Sequence, residues 1–538
     1  MPKLQTNGAK QKRTTYMILL LWAAVCFALL VVDWCCWAPN RLDADMASEQ
    51  LLANLLAQEG GVMSTNWYYS TELRVLNTQL VMAPLFRLFT SWHTVRVVGS
   101  VVLILLYLAA WFWFGRSAKL KYSGLLGAGL LVLPYGALYR QYVLEGLYYI
   151  PHIAISFVVL GCAVRILRGG RRLAPAAGMV LFSFAAALGG PRQLFILNIP
   201  LTVAAALLCW LDAPPADTLR QKLANAWRTP GGALLVPTLA ADAAALAGYL
   251  VNAKVLAEKY HFQDQGYVAF TGLNLDRLQW FVNALLASFG WQEGKVFSLA
   301  ALFNLAAAAL ILFCFVFSVR LVRGKARYPL GHRLVGAFFL AGAVCFALLY
   351  GLTNSGHSDR YLLPLAILFV PLLEIMLADC TPLHRPDARG LTALLAAILL
   401  LRAGTDYRAA AVAANPNQGA AQFLVQNGYR DGYASFWDGN VMTELTDGTL
   451  NVWTLTPNSV PELRPWLQVT SHLQTPPQGK IFFVISKWEA YGERQPTTQA
   501  LADAMPEDAL IYEDATVKIY GFASDEAMRQ ACGFAAFP

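Results

Sequence analysis

Asp43-Ala44-Asp45 and Glu49 set three carboxylates within seven residues. Two acids spaced i, i+2 can jointly hold a divalent cation, or one can take a proton as general base while a cation holds the other ionised. Asp45 and Glu49 are four residues apart, so a helix through this stretch puts both on one face. A plainer reading also accounts for the pair, because Asp is a favoured N-cap and either residue can close the first turn of such a helix. Further polar groups follow. The stretch STNWYYSTELRVLNTQ, from Ser64 to Gln79, mixes aromatic rings, hydroxyls and amides with Glu72 and Arg74. Aromatic faces cover the C–H surfaces of sugars while amides and charges bond the hydroxyls, although aromatics beside a membrane also serve as anchors. In Gly189-Gly190-Pro191-Arg192-Gln193 a cation and an amide follow glycines that let a ligand approach the backbone. His357-Ser358-Asp359-Arg360-Tyr361 is a second basic and polar group, and Arg140 is a third source of positive charge. Glu145 and His152 flank one short segment, where they either complete a metal or acceptor site or act as polar helix ends.

The elements that must carry these groups are set by composition. The chain has 538 residues, 57% apolar and 14% charged, whereas soluble domains carry roughly a quarter charged residues. Apolar runs of about 17 to 24 residues recur, the length a helix needs to cross about 30 Å of hydrocarbon. They predict about eleven spans, at residues 16–33, 95–114, 122–139, 148–167, 174–189, 194–211, 233–251, 297–319, 334–352, 361–378 and 389–404. With the N-terminus in the cytoplasm, the loops 116–121, 165–172, 220–228, 320–333 and 385–389 are cytoplasmic, and all are basic, as the positive-inside rule requires. The net charge of +8 thus reflects membrane topology and gives no reason to expect nucleic acid as a partner. The first apolar run lacks a small-residue cleavage site and ends in Asp33-Trp34-Cys35-Cys36-Trp37, an aromatic belt, so it reads as a retained span.

This topology places 34–94, 140–147, 190–193, 252–296, 353–360 and everything after about 405 outside, and those segments hold the polar groups above. Within them, residues 45–58 read as an interfacial amphipathic helix, with further such helices over 77–89 and 273–289. The domain plan is a transmembrane domain over 1–404 and an extracytoplasmic α/β domain over 405–538. In the latter a helix is expected over 420–427, strands over 432–437, 480–486, 509–513 and 516–522, and a hairpin about Asp514-Ala515. Cys26, Cys162, Cys209, Cys314 and Cys345 lie in apolar spans and act as small hydrophobes. No zinc-protease motif, Walker loop or nucleophile elbow occurs, which leaves a metalloprotease, a nucleotide-driven pump or an esterase unsupported.

RLDADMASEQLLANLLAQEG, beginning at Arg41, resembles the acidic first-loop motif of the GT-C superfamily of membrane glycosyltransferases, which includes protein mannosyltransferases and aminoarabinose transferases. HSDRYLLPLAILFVP, from His357 to Pro371, is similar to the Arg-Tyr-x-x-Pro segment that opens a late span in many of them. The usual Asp-Glu pair is Asp43-Ala44-Asp45 here, which leaves open which carboxylate is the base. The resemblance implies a polytopic helical fold with a C-terminal outer domain. It implies a bacterial, plasma-membrane hexosyl- or pentosyltransferase that moves a sugar from a polyprenyl-phosphate donor to a glycan, lipid or protein acceptor of the cell envelope. Asp43 and Asp45 would be catalytic, alone or with a divalent cation such as Mg or Mn. Glu49, Glu72, Arg74, Arg192, Gln193, His357, Asp359, Arg360 and Tyr361 would bind substrate, and Glu145 with His152 would be a secondary metal site. Fixed cations suit this chemistry because negative charge builds on the leaving phosphate.

Two other classes fit parts of the sequence. A polysaccharide polymerase or ligase uses similar lipid-linked substrates but concentrates Arg and His in a large late outer loop. A lipid or solute transporter places ionisable residues near the bilayer centre and often shows inverted repeats, whereas these charges gather at span ends and no repeat is evident.

Overall fold

The computed structural model describes residues 2–169, 172–263, 268–294, 296–354, 358–379, 385–456, 462–487 and 497–534. Its α-carbon contacts divide the chain into two compact units. One comprises 1–33, 103–253 and 266–407, and the other 34–102, 254–265 and 408–538.

Helices dominate the first unit because long apolar runs must satisfy their backbone hydrogen bonds within the segment. Among the described residues of the whole chain, nine helices are long and apolar enough to cross a membrane. They are Arg13–Cys36, Trp92–Ala118, Ile150–Leu167, Leu194–Asp212, Pro230–Lys259, Leu299–Arg323, Leu330–Leu352, Asp359–Asp379 and Pro386–Val412. The shorter Leu173–Ala187 is also apolar. These ten match ten of the expected segments. Residues 122–139 differ: a helix over Leu125–Leu131 stops before Pro134 and Gly136, and only one turn, Ala137–Tyr139, follows before a π-helical stretch over Arg140–Glu145. Pro134 lacks an amide donor and Gly136 weakens helix propagation, which explains the interruption. A second π-helical stretch, Leu194–Asn198, follows Arg192 and Gln193.

The second unit contains two sheets. The small one aligns β1 (Trp67–Tyr69) in parallel with β2 (His261–Phe262) and antiparallel to β6 (Gln468–Val469), which joins distant stretches of chain. The larger one has the order β5-β4-β3-β7-β9-β8, from β3 (Asp431–Ser435), β4 (Asn451–Thr456), β5 (Glu462–Leu463), β7 (Ile481–Ser486), β8 (Leu510–Glu513) and β9 (Val517–Phe522). β3 runs parallel to both β4 and β7, while β8 and β9 form the expected antiparallel hairpin. Apolar side chains cover both faces. Ala420, Leu424 and Phe482 lie in one buried cluster, and Tyr433, Ile481 and Met528 in the other.

Residues 45–58 do form a helix, Ala44–Glu59, whose Met46, Ala47, Ser48, Gln50, Leu52 and Leu56 are buried against neighbouring elements while Gln58 and Glu59 are exposed. It packs against helices Gln79–Phe86 and Phe436–Leu445. Polar links fix its position: Gln50 donates to the Trp92 carbonyl at 2.8 Å and Asn440 donates to the Ser48 hydroxyl at 2.7 Å. Arg96 adds a two-point ion pair to Glu444, with contacts of 2.5 and 2.6 Å. The expected helix over 273–289 is present as Leu275–Ser288, and its exposed Leu275, Trp280 and Val282 suit an interfacial position.

Candidate functional site

In the second unit the acidic residues have distinct roles. Asp43 is the N-cap of helix Ala44–Glu59 and accepts the Met46 amide at 2.8 Å. Asp45, in the first turn, is half-buried. Its charge opposes the loss of proton affinity that burial imposes on Arg464, whose guanidinium lies 5.1 Å from the centres of both the Phe436 and Trp466 rings. Glu49, one turn on, accepts Asn77 Nδ2 and Thr78 Oγ1 at 2.7 Å each, with Arg74 at 3.9 Å. Burial pushes the Glu49 carboxyl above its ordinary value, Arg74 and the two hydrogen bonds oppose that rise, and Asp45 adds to it. Glu72 pairs with Arg74 at 3.4 Å. Thus Arg74 links Glu49 and Glu72, and the sequence-predicted residues Asp45, Glu49, Glu72 and Arg74 form one charged neighbourhood. Asn77, Thr78 and Arg464 belong to it as well. Asn77 and Thr78 lie within the polar stretch already singled out, whereas nothing local in the sequence marks Arg464.

The first unit holds a cationic and aromatic cluster. Gly190, with φ at 108°, makes the turn that leads to Pro191 and Arg192, a backbone state that strains side chains other than hydrogen. Arg192 lies 4.9 Å from the Tyr361 ring centre and 5.5 Å from that of Tyr149, and it reaches the Tyr149 hydroxyl at 3.3 Å. Tyr149 meets Tyr142 edge-on at 6.2 Å, and Arg360 lies 5.1 Å from the Tyr142 ring. Arg192, Arg360 and Tyr361, predicted from two distant segments, therefore share one cluster. Tyr142 and Tyr149 join it. Each cation–aromatic contact contributes about 0.5 to 2 kcal/mol, more where water is excluded.

Of the remaining candidates, His152 borders this cluster and meets the Tyr149 ring edge-on at 6.0 Å. Gln193 is fully buried and bonds His152 Nδ1 at 3.0 Å, so it fixes packing between helices. Asp359 has an exposed side chain, while its carbonyl accepts the Ser288 hydroxyl at 2.9 Å. His357 lies outside the described residues. Glu145 pairs with Arg140 at 3.4 Å, and Arg140 also meets Asp406 at 3.3 Å. Glu145 and His152 thus serve separate partners. Among the described residues no group of three or more His, Cys, Asp or Glu side chains is arranged to hold a metal ion. Asp43 is engaged as the helix cap and no third such donor joins Asp43 and Asp45 among the described residues, so no metal-dependent step is assigned to them.

No protein-family profile matches the chain, and no curated protein sequence matches it. Solved structures do. ArnT from Cupriavidus metallidurans in the apo state superposes with a TM-score of 0.54 at 13% identity, covering 95% of this chain and 98% of that one. The same protein bound to undecaprenyl phosphate gives 0.51 at 12% identity, over 93% of this chain and 97% of that one. The fold is shared with ArnT, in a chain whose many long apolar helices make it a multi-pass membrane protein.

Proposed function

We propose that this protein is a glycosyltransferase that takes a sugar from a polyprenyl-phosphate donor and passes it to a hydroxyl or amino group of a cell-envelope acceptor, outside the plasma membrane. The carrying observation is the Arg192, Arg360, Tyr142, Tyr149 and Tyr361 cluster, set at span ends in a fold of this class. Guanidinium groups bind phosphate oxygens with charge-assisted hydrogen bonds, and aromatic rings beside them cover the apolar face of a sugar or prenyl chain. ArnT, whose fold is shared, is recorded with undecaprenyl phosphate, which supports a lipid phosphate as the leaving group.

In the reaction, the acceptor's lone pair forms a bond to the anomeric carbon while the bond from that carbon to the phosphate oxygen breaks. The electron pair leaves with the lipid phosphate, and Arg192 and Arg360 offset the growing charge. The acceptor's proton calls for a carboxylate base, and in the second unit Asp45 is the candidate for it, because Asp43 is committed to the helix cap. Glu49 holds Asp45's surroundings through Arg74, Asn77 and Thr78.

With the broken segment over 122–145 still carrying the chain across the bilayer, the basic loops fall on one side of the membrane, which supports an N-terminus in the cytoplasm and a C-terminal region outside. A lipid-linked donor suits that side of the membrane, which has no nucleotide-sugar pool. The experiment is incubation of purified protein with a panel of polyprenyl-phosphate sugars, followed by assay of the released lipid phosphate. Release by wild type and its loss in Asp45→Asn are expected. A panel that yields no release, together with protein-dependent transport of a lipid or solute, would favour the transporter instead.

A further inference from the structure

The charged neighbourhood occupies only one side of helix Ala44–Glu59. At 100° per residue, Leu51, Asn54 and Gln58 fall on the side opposite Asp45 and Glu49, with Leu55 on its flank. There they line a cleft of about 180 Å³, enclosed within the second unit by the end of helix Phe436–Leu445 and by strands β1, β4 and β6. Its lining contains no Asp, Glu, Lys or Arg. Trp67 and Trp92, only 1% and 6% exposed, present ring edges at its base, while Asn440, Asn451, Gln468 and His472 supply amide and imidazole groups.

Most of those polar groups are held in place by the protein. Asn440 donates to Ser48 and to the Leu467 carbonyl, at 2.7 and 2.9 Å. His472 bonds Asn451 at 3.0 Å and stacks on Trp453 with ring centres 4.0 Å apart. Burial pulls the His472 pKa down to about 3, so the wall is uncharged at neutral pH. Gly448, with φ at 74°, admits the Trp92 ring so closely that a Cβ there would stand 2.8 Å from it. Two groups are left open: the amides of Asn54 and Gln58, one turn apart, have no hydrogen-bond partner among the described residues. The buried Trp67 indole N–H also has no acceptor among them.

We infer that this cleft is a binding site for a neutral saccharide unit, with Asn54 and Gln58 bonding its hydroxyls and the tryptophan edges contacting its C–H face. Rigid aromatic edges, adaptable amides and an absence of charge suit a ring that carries many hydroxyls and no net charge. A phosphorylated or anionic ligand finds no counter-charge here. The inference goes beyond the transfer reaction, since none of the residues assigned to that reaction lines the cleft.

The test uses the full chain in lipid nanodiscs, which avoids sugar-based detergents, with maltose, lactose and cellobiose as probes in saturation-transfer NMR. Saturable binding of at least one probe is expected, weakened about tenfold or more in Asn54→Leu/Gln58→Leu, as expected for two lost hydrogen bonds. Thermal unfolding of that variant checks that the exposed helix face tolerates the change. Arg192→Ala should bind the saccharide as wild type does, so failure of the phosphate assignment and failure of this site are told apart. Absence of binding by any neutral probe would overturn the inference, as would equal affinity in the double variant or tighter binding of glucuronate than of the neutral sugars.

Discussion

The Arg192 guanidinium lies 4.9 Å from the centre of the Tyr361 ring, and the residue beside Tyr361, Arg360, lies 5.1 Å from Tyr142. Two guanidinium groups from separate parts of the chain thereby stand on neighbouring tyrosines, since Tyr142 meets Tyr149. Arg192→Ala and Arg360→Ala are each expected to lower kcat/KM for the polyprenyl-phosphate donor by about ten- to a hundredfold, the loss of one charge-assisted contact. Arg192→Lys should recover only part, because an ammonium keeps the charge but not the planar stacking. Steady-state kinetics with varied donor read this directly. Donor dependence equal to wild type in both alanine variants would move the phosphate site elsewhere.

Asp43 and Asp45 should separate under mutation. Asp43→Asn preserves the cap, since Asn is as good an N-cap as Asp, and should retain transfer; Asp43→Ala should cost about 1 kcal/mol in stability. Asp45→Asn should abolish transfer with unfolding unchanged. Activity is expected to survive excess chelator, because Asp43 is engaged by Met46 and Glu49 by Asn77 and Thr78. A loss restored by Mg or Mn would bring a cation back to Asp45.

His472 makes a pH prediction of definite sign. Its pKa falls from 6.5 to about 3 on burial, so above 6.5 neither the folded nor the unfolded state binds the proton and the contribution to stability is complete. As pH drops below 6.5 the unfolded chain takes up a proton that the folded chain refuses, and stability is lost progressively toward pH 3. His472→Gln removes that term. Its thermal midpoint should fall less than that of wild type between neutral pH and about pH 4. Parallel curves for the two proteins would show that His472 does not titrate abnormally.

The Arg96–Glu444 pair joins the start of helix Trp92–Ala118 to helix Phe436–Leu445 within the second unit, with both side chains largely buried. Breaking it leaves one charge unpaired, so Glu444→Gln or Arg96→Ala should cost about 3 kcal/mol in chemical unfolding. Replacing both partners with apolar residues should be less damaging than either single change. Single variants within about 0.5 kcal/mol of wild type would reduce the pair to a surface contact.

Much of this molecule was legible in order along the chain. Runs near Tyr16, Val95, Leu334 and Leu363 are long and apolar enough to reveal spans, because membrane helices depend on local composition. Local periodicity also revealed the strands Ile481–Ser486 and Val517–Phe522 and the turn at Asp514. Residues 122–139 were overread, since hydropathy counts Pro134 and Gly136 lightly while the backbone does not. The strand Asn451–Thr456 was missed, as its polar residues lack a clean alternation and its parallel pairing with Asp431–Ser435 is non-local.

The sequence by itself determined that the chain crosses a membrane many times, which residues carry charge near the span ends, and where the hairpin of the final region turns. Each follows from forces acting between near neighbours: hydrophobic transfer, helix hydrogen bonding and turn preference. Only tertiary structure decided that residues 34–102 and 408–538 share a compact unit, that Asp43 caps a helix whose far side lines an uncharged cleft, and that the tyrosines under Arg192 adjoin the one under Arg360. Contacts between distant segments depend on how helices and strands pack, and no local stretch of sequence carries that information.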